Sequence, residues 1–338
     1  MLVSRPLSLA IAVGLALSAA SLPVAARQLS PAQSRQRALS AVKSWGYQLQ
    51  KMDLDAIVAS PFDLLVIDHA PDRVDSVELL LRRDELKVLK AKPDGSRRVV
   101  LAYISIGEAE HYRFYWNNAW LEPDLRPTWL GAVNPQWAGN YPVEFWQPSW
   151  QSLIYGQSDS YIDRVLDAGF DGIYLDRADV YQQFAAHPNA EAEMAAFLTH
   201  LIDHARRLKP DALVVLQNAE ELLRRKEIRG RIDAIAKESL YLNPEAAPLT
   251  PAAATPAAKT SDTQASLADL RLARKAGRKV FVVEYTADPI AARAARRQAE
   301  AEGFVIHFTE RTLSQLNVRG PDQQVTASTP AATTAPVQ

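Results

Sequence analysis

The stretch FDGIYLDRADVY, residues 170–181, decides the fold. Ile173-Tyr174-Leu175 is a short apolar run that stops at a carboxylate, Asp176, with a second acid, Asp179, one turn later. A brief apolar run bounded by charge reads as a buried parallel strand. A charged group at the carboxyl end of such a strand stands where α/β enzymes place their chemistry.

The pattern recurs on both sides of this stretch. Apolar runs at 45–49, 64–67, 99–106, 172–175, 213–216, 232–236, 280–283 and 305–308 predict eight strands. Amphipathic stretches at 76–90, 150–168, 190–209, 219–229, 263–276 and 288–302 predict helices between them. Strand–helix alternation over this length predicts a single-domain α/β fold, a (β/α)8 TIM barrel spanning 45–318. A doubly wound open sheet is the competing architecture, and the glycine-rich phosphate turn expected after its first strand is missing.

Arg5, the apolar run from Leu7 to Leu22 and Val24-Ala25-Ala26 form a signal-peptide pattern over residues 1–26. The apolar run is shorter than the roughly 20 residues that span a bilayer. The expectation is a periplasmic or secreted protein with no stable membrane anchor after cleavage. A polar lead-in, 27–44, follows. Residues 244–260 and 319–338 are rich in Pro, Ala and Thr, and read as a long loop over the active face and a disordered tail. Cysteine is absent, which removes disulfides, thiolate metal sites and a cysteine nucleophile. A net charge of −1 without a basic run argues against a nucleic-acid partner. A monomer is expected.

The strand ends carry acids: Asp68, Glu108 and Glu110, Asp176, Glu238, Glu284 and Glu310. In a barrel all of them would ring one mouth. Crowded carboxyls push one another's proton affinities apart, giving a proton donor and an anionic base or nucleophile. Glycoside hydrolysis requires such a pair. The competing reading is that each acid caps a helix or pairs with a neighbour, as Arg177 could serve Asp176 and Lys237 could serve Glu238. Residues 112–150 hold six of the seven tryptophans, so this segment either stacks on sugar faces or builds a small core under a long loop. His200 and His204 approximate a zinc pattern, but on a helix expected outside the barrel. His69 and His111 beside strand-end acids would serve a metal-dependent deacetylase. No metal and no cofactor is expected.

Together, LAYISIGEAEHYRFYW, WxxxYPVEFWQPSW, FDGIYLDRADVY, VLQNAEELL and AIAKESLYL resemble glycoside hydrolase family 114, whose characterised members are endo-α-1,4-polygalactosaminidases with a (β/α)8 barrel. The resemblance runs from about 45 to 310. It implies Asp176 as nucleophile and Glu238 as general acid/base. It further implies substrate-binding positions at Asp68, Tyr103, Ser105, Glu108 and Asn218. Trp116, Trp146, Tyr174, Asp179 and Tyr285 complete the candidate sugar-binding set. The chain departs from the family pattern at Asn218-Ala219, where Asn-Gly is common, and in the length of the 244–260 stretch. The implied function is an exported endo-acting hydrolase of a galactosamine-containing, cationic polysaccharide, retaining in mechanism. A non-catalytic carbohydrate-binding barrel and a metal-dependent polysaccharide deacetylase are the alternatives.

Overall fold

Strands that are apolar on both faces need cover on both sides, and closure into a barrel supplies it. The computed structural model describes residues 28–74, 77–242 and 261–323. The expected leader, the 244–260 loop and most of the expected tail lie outside them. The eight parallel strands of the main sheet are β1 (Trp45–Gln48), β2 (Leu64–Ile67), β5 (Val99–Ser105), β8 (Gly172–Asp176), β9 (Leu213–Gln217), β10 (Ala234–Glu238), β11 (Lys279–Tyr285) and β12 (Val305–Thr309), in that spatial order. The two edges meet where Trp45 Nε1 donates to the Val305 carbonyl at 3.0 Å. Two hairpins decorate the carboxyl face: β3 (Asp72–Val74) with β4 (Val77–Leu79), and β6 (Glu108–Glu110) with β7 (Asn140–Pro142).

Side chains alternate along each strand. Trp45, Tyr47, Val66, Leu101, Tyr174, Val215, Ala236, Phe281 and Val283 fill the barrel interior, while Ile67, Val100, Ile104, Ile173, Leu175, Val214 and Val280 face the helices. The lead-in is not featureless. Ser30 and Gln33 form a capping box that starts α1 (Pro31–Ser40), and Leu39 and Val42 plug the amino end of the interior.

The outer layer contains α2 (Leu54–Ala59), α3 (Arg83–Leu89), α4 (Pro148–Ile154), α5 (Tyr161–Ala168), α6 (Ala190–Leu208), α7 (Lys226–Arg231), α8 (Ser261–Lys275) and α9 (Pro289–Glu302). Three expected helices are subdivided. Val77, Leu79 and Leu81 repeat every second residue, so 76–90 begins as a hairpin strand and only then becomes α3. Gly156, at φ +95°, separates α4 from α5. The 219–229 stretch is a 3-10 turn, Glu220–Arg224, followed by α7. At the other end of the chain, Asp322 is held by Arg296 at 2.5 Å, so order extends past 319.

Acids at the amino ends of strands are structural. Asp171 and Asp233 accept backbone N–H groups from Val100 and Val214 at 3.0 and 2.9 Å. Each is also paired with cations, Lys90 and Arg97 for Asp171, Arg35 and Arg206 for Asp233. Acids at the carboxyl ends behave differently.

Candidate active site

Continuing the inward register by two residues from Tyr174, Val215 and Ala236 gives Asp176, Gln217 and Glu238. They meet at the carboxyl mouth. Gln217 Nε2 donates to Asp176 Oδ1 and to Glu238 Oε2, both at 2.8 Å. Those two oxygens therefore lie at most twice that, 5.6 Å, apart. Asp176 also accepts from Tyr103 Oη onto Oδ2 and from the Arg177 backbone N–H onto Oδ1, each at 2.7 Å. Glu238 accepts from Asn218 Nδ2 at 3.0 Å onto Oε2 and from the Tyr285 hydroxyl onto Oε1. Burial, and then the charge of Glu238, push Asp176 up to about 8.

Six non-glycine residues among those described have positive φ: Lys51, Arg177, Asn218, Ala219, Ser239 and Leu313. All but Ala219 line the mouth cleft, and Ala219 adjoins it. The chain turns left-handed immediately after Asp176, after Gln217 and after Glu238. A left-handed L-residue costs roughly 1–2 kcal/mol. Strain of this kind collects at functional sites. At Asn218 it lets Oδ1 accept the Glu238 N–H at 3.1 Å while Nδ2 reaches the same residue's carboxyl. Ala219, at φ +51°, adopts the conformation that glycine would take without strain. Gly107 has no room for a side chain: a Cβ there would lie 2.1 Å from the Arg177 carbonyl. This close approach carries β6 over the mouth.

The cleft has a volume of about 1150 Å3. Asp68, Tyr103, Glu108, Asp176, Asp179, Asn218, Glu238 and Tyr285 all line it. Among the described residues several acids at and beside the cleft share their cations. Asp68, Glu78 and Glu110 surround Arg113 and His69, while Glu108 and Asp179 share Arg177. Burial would raise Asp68, but Arg113 and His69 hold it well below the usual carboxylate range. Burial leaves Glu108 raised despite Arg177.

Four expected sugar contacts do not line the cleft. Ser105 is buried and donates to the Glu108 carbonyl at 3.0 Å, supporting that residue from below. Tyr174 is fully buried beneath the pair, packed on Tyr47. Trp116 stacks on Tyr141, and Trp146 stacks on His187 at 4.2 Å. Both indoles belong to the small core that joins the 112–150 loop to the barrel, because an apolar loop surface buries itself before it meets a ligand. Trp137 is the tryptophan of this segment that lines the cleft, 39% exposed, with the Arg311 guanidinium 5.5 Å from its ring centre. Gln217, Arg113 and Tyr47 were also missed. The period-two register marks Gln217 and Tyr47, whereas nothing local marks Arg113.

Two strand-end acids are absent from the cleft lining. Glu310 takes a hydrogen bond from Ser314. Glu284 is one residue out of the inward register of Phe281, Val283 and Tyr285. It turns outward, fully buried, and accepts the Tyr241 N–H at 2.8 Å and the Leu242 N–H at 3.3 Å. Burial raises it to about 8. An unfolded glutamate titrates near 4.3, so between these values the folded protein binds more protons. Glu284 therefore lends stability below the lower value that is lost as pH rises through about 8. Comparing Glu284→Gln with wild type by thermal unfolding at pH 6 and pH 9 should show the difference moving in the variant's favour at pH 9. An unchanged difference would contradict a protonated Glu284.

Three of the candidate histidines are engaged with other groups. His69 lies between Asp68 and Glu78 and contacts Tyr161; His111 Nδ1 faces the Gly139 carbonyl; and His204 on α6 pairs with Asp163 at 2.7 Å. Among the described residues there is no group of three His, Cys, Asp or Glu that could hold a metal ion.

The model of glycoside-hydrolase family GH114 matches residues 25–326. A Deinococcus radiodurans protein described only as uncharacterized is 35% identical over 291 residues, 85% of this chain and 87% of its own length. The glycoside hydrolase domain of PelA from Pseudomonas aeruginosa superposes with a TM-score of 0.59 at 19% identity, covering 81% of this chain and 97% of that domain. Aspergillus fumigatus Ega3, solved in complex with galactosamine, gives 0.56 at 16% identity, covering 81% and 94%. These two structures share the fold.

Proposed function

The chain belongs to glycoside hydrolase family GH114, and from that premise we propose that it is an exported, endo-acting enzyme that cuts α-1,4 linkages in a galactosamine-containing polysaccharide. The observation that carries the reading is the joining of Asp176 and Glu238 through one Gln217 nitrogen at the floor of an open cleft. Retention fits that spacing. Retaining glycosidases hold their carboxyls about 5–5.5 Å apart, against roughly 6.5–9.5 Å in inverting ones. Asp176 acts as nucleophile and Glu238 as acid, then base. In the free protein burial pushes Asp176 up to about 8. An ammonium-bearing sugar in the mouth favours ionised Asp176, the form a nucleophile needs, while Glu238 delivers the proton to the leaving oxygen.

A cationic amino sugar also suits the carboxylates gathered around Arg113 and Arg177, and Ega3 offers a precedent in its bound galactosamine. The cleft exceeds the roughly 300–1,000 Å3 of pockets that enclose single small ligands, which leaves room for several sugar units. The leader-like pattern of residues 1–26 supports export, and no helix among the described residues is long and apolar enough to cross a membrane.

The deciding experiment is incubation with de-N-acetylated α-1,4-galactosaminan, chitosan and neutral galactan, followed by mass analysis. Internal fragments from the first polymer are expected. No cleavage, or equal cleavage of the neutral galactan, would overturn the reading. Trp137 should act as a rim platform for a sugar distant from the cut. Stacking on an aromatic ring contributes about 0.5–1.5 kcal/mol, so Trp137→Ala should raise KM for polymer roughly 3- to 10-fold with kcat little changed. An unchanged KM would remove Trp137 from the binding surface.

A further inference from the structure

We propose that Gln217 is a positioning residue for the hydrolytic pair: its side-chain amide sets the gap between Asp176 and Glu238 and dictates which carboxyl oxygens can carry a proton. The inference rests on the proposed hydrolase reading and adds a third member to its machinery. Gln217 is 1% exposed at the end of β9, midway in sheet order between the strands that bear the two acids. An amide nitrogen has two hydrogens and no acceptor capacity. Here one hydrogen serves each carboxyl. The opposite orientation would set the amide oxygen against two carboxyl oxygens, so the neighbours fix the assignment.

The donors around the pair have matching layouts. Asp176 Oδ1 receives two N–H groups, from Gln217 and the Arg177 backbone, while Oδ2 receives the Tyr103 hydroxyl. Glu238 Oε2 likewise receives two, from Gln217 and Asn218, while Oε1 receives the Tyr285 hydroxyl. An N–H group cannot reverse its role, but a hydroxyl can donate or accept. Protonating an oxygen already bound by two N–H groups weakens both bonds. The proton is therefore driven to Asp176 Oδ2 or Glu238 Oε1, where a tyrosine turns from donor to acceptor. Whichever carboxyl holds a proton, its Gln217-facing oxygen stays anionic in character. Nothing beyond the one proton is gained or lost.

Removing the amide takes one donor from each carboxyl, so both charged forms lose support and proton affinity rises. Gln217→Met keeps the length and abolishes the donor. It should lower kcat about 100-fold with KM changed less than threefold, and move the alkaline limb of the kcat/KM profile upward by about one pH unit. Gln217→Asn keeps a donor on a stem one methylene shorter and should not restore activity, because it cannot reach both acids. Carbon-13 NMR titration of the side-chain carboxyls, with thermal unfolding as a check on folding, should show the same upward shift in Gln217→Met without any substrate. A kcat within threefold of wild type, or carboxyl titrations identical in the two proteins, would overturn the proposal. If the wild type cuts no polymer, the hydrolase reading falls by itself, and the titration alone still decides the role of Gln217.

Discussion

Asp176→Asn is expected to lower kcat/KM on galactosaminan by about 10⁴-fold or more, a loss of roughly 5.5 kcal/mol of transition-state stabilisation at 1.36 kcal/mol per tenfold. The substitution should leave the fold intact. The asparagine oxygen can still accept from Gln217 and the Arg177 N–H, and its amide can donate to the Tyr103 oxygen. What is lost is the ability to form and break a bond to the anomeric carbon. Steady-state kinetics and a thermal melt on the same preparation check this, and activity above a few per cent of wild type would refute the nucleophile assignment. Added azide sharpens the test. With an activated α-glycoside as substrate, Asp176→Ala should yield the β-glycosyl azide, because azide enters from the face the carboxylate vacated. An α-azide would assign the nucleophile to another residue.

Glu238→Gln is expected to cost about 10³-fold on polymer, within the range that acid–base assistance supplies. On a substrate whose leaving group needs no proton, formation of the glycosyl-enzyme should fall less than tenfold. The variant amide can accept from Gln217 and Asn218 and donate to Tyr285, so binding should persist. Azide should here restore turnover with retention, giving the α-azide. Equal losses on both substrate types would contradict the acid role. The same pair of variants therefore separates the two carboxyls, although each is held by three donors of similar chemistry.

Much of this site was legible from the chain. Eight apolar runs foretold eight strands, and two of them foretold the acids at their ends. The tryptophan-rich loop was recognised as a single feature, but its division of labour was not. Trp116 and Trp146 close a local core, and Trp137 faces the cleft. Composition is the same for both roles, and only the packing, Trp116 on Tyr141 and Trp146 on Phe184 and His187, distinguishes them. The ring of acids likewise divided. Asp68, Glu108, Glu110, Asp176 and Glu238 line the mouth; Glu284 and Glu310 do not.

Glu238 and Glu284 show where local reading ends. Both close apolar strands of similar composition, yet one faces the cleft and the other clasps the backbone of Tyr241 and Leu242. A strand buried on both faces carries no polar stripe to say which side is inward. The sequence alone determined the strand–helix alternation, the acids available at strand ends and the family. Barrel closure decided which register points inward, and with it the meeting of Asp176, Gln217 and Glu238, because side chains on neighbouring strands converge only once the sheet curves back on itself.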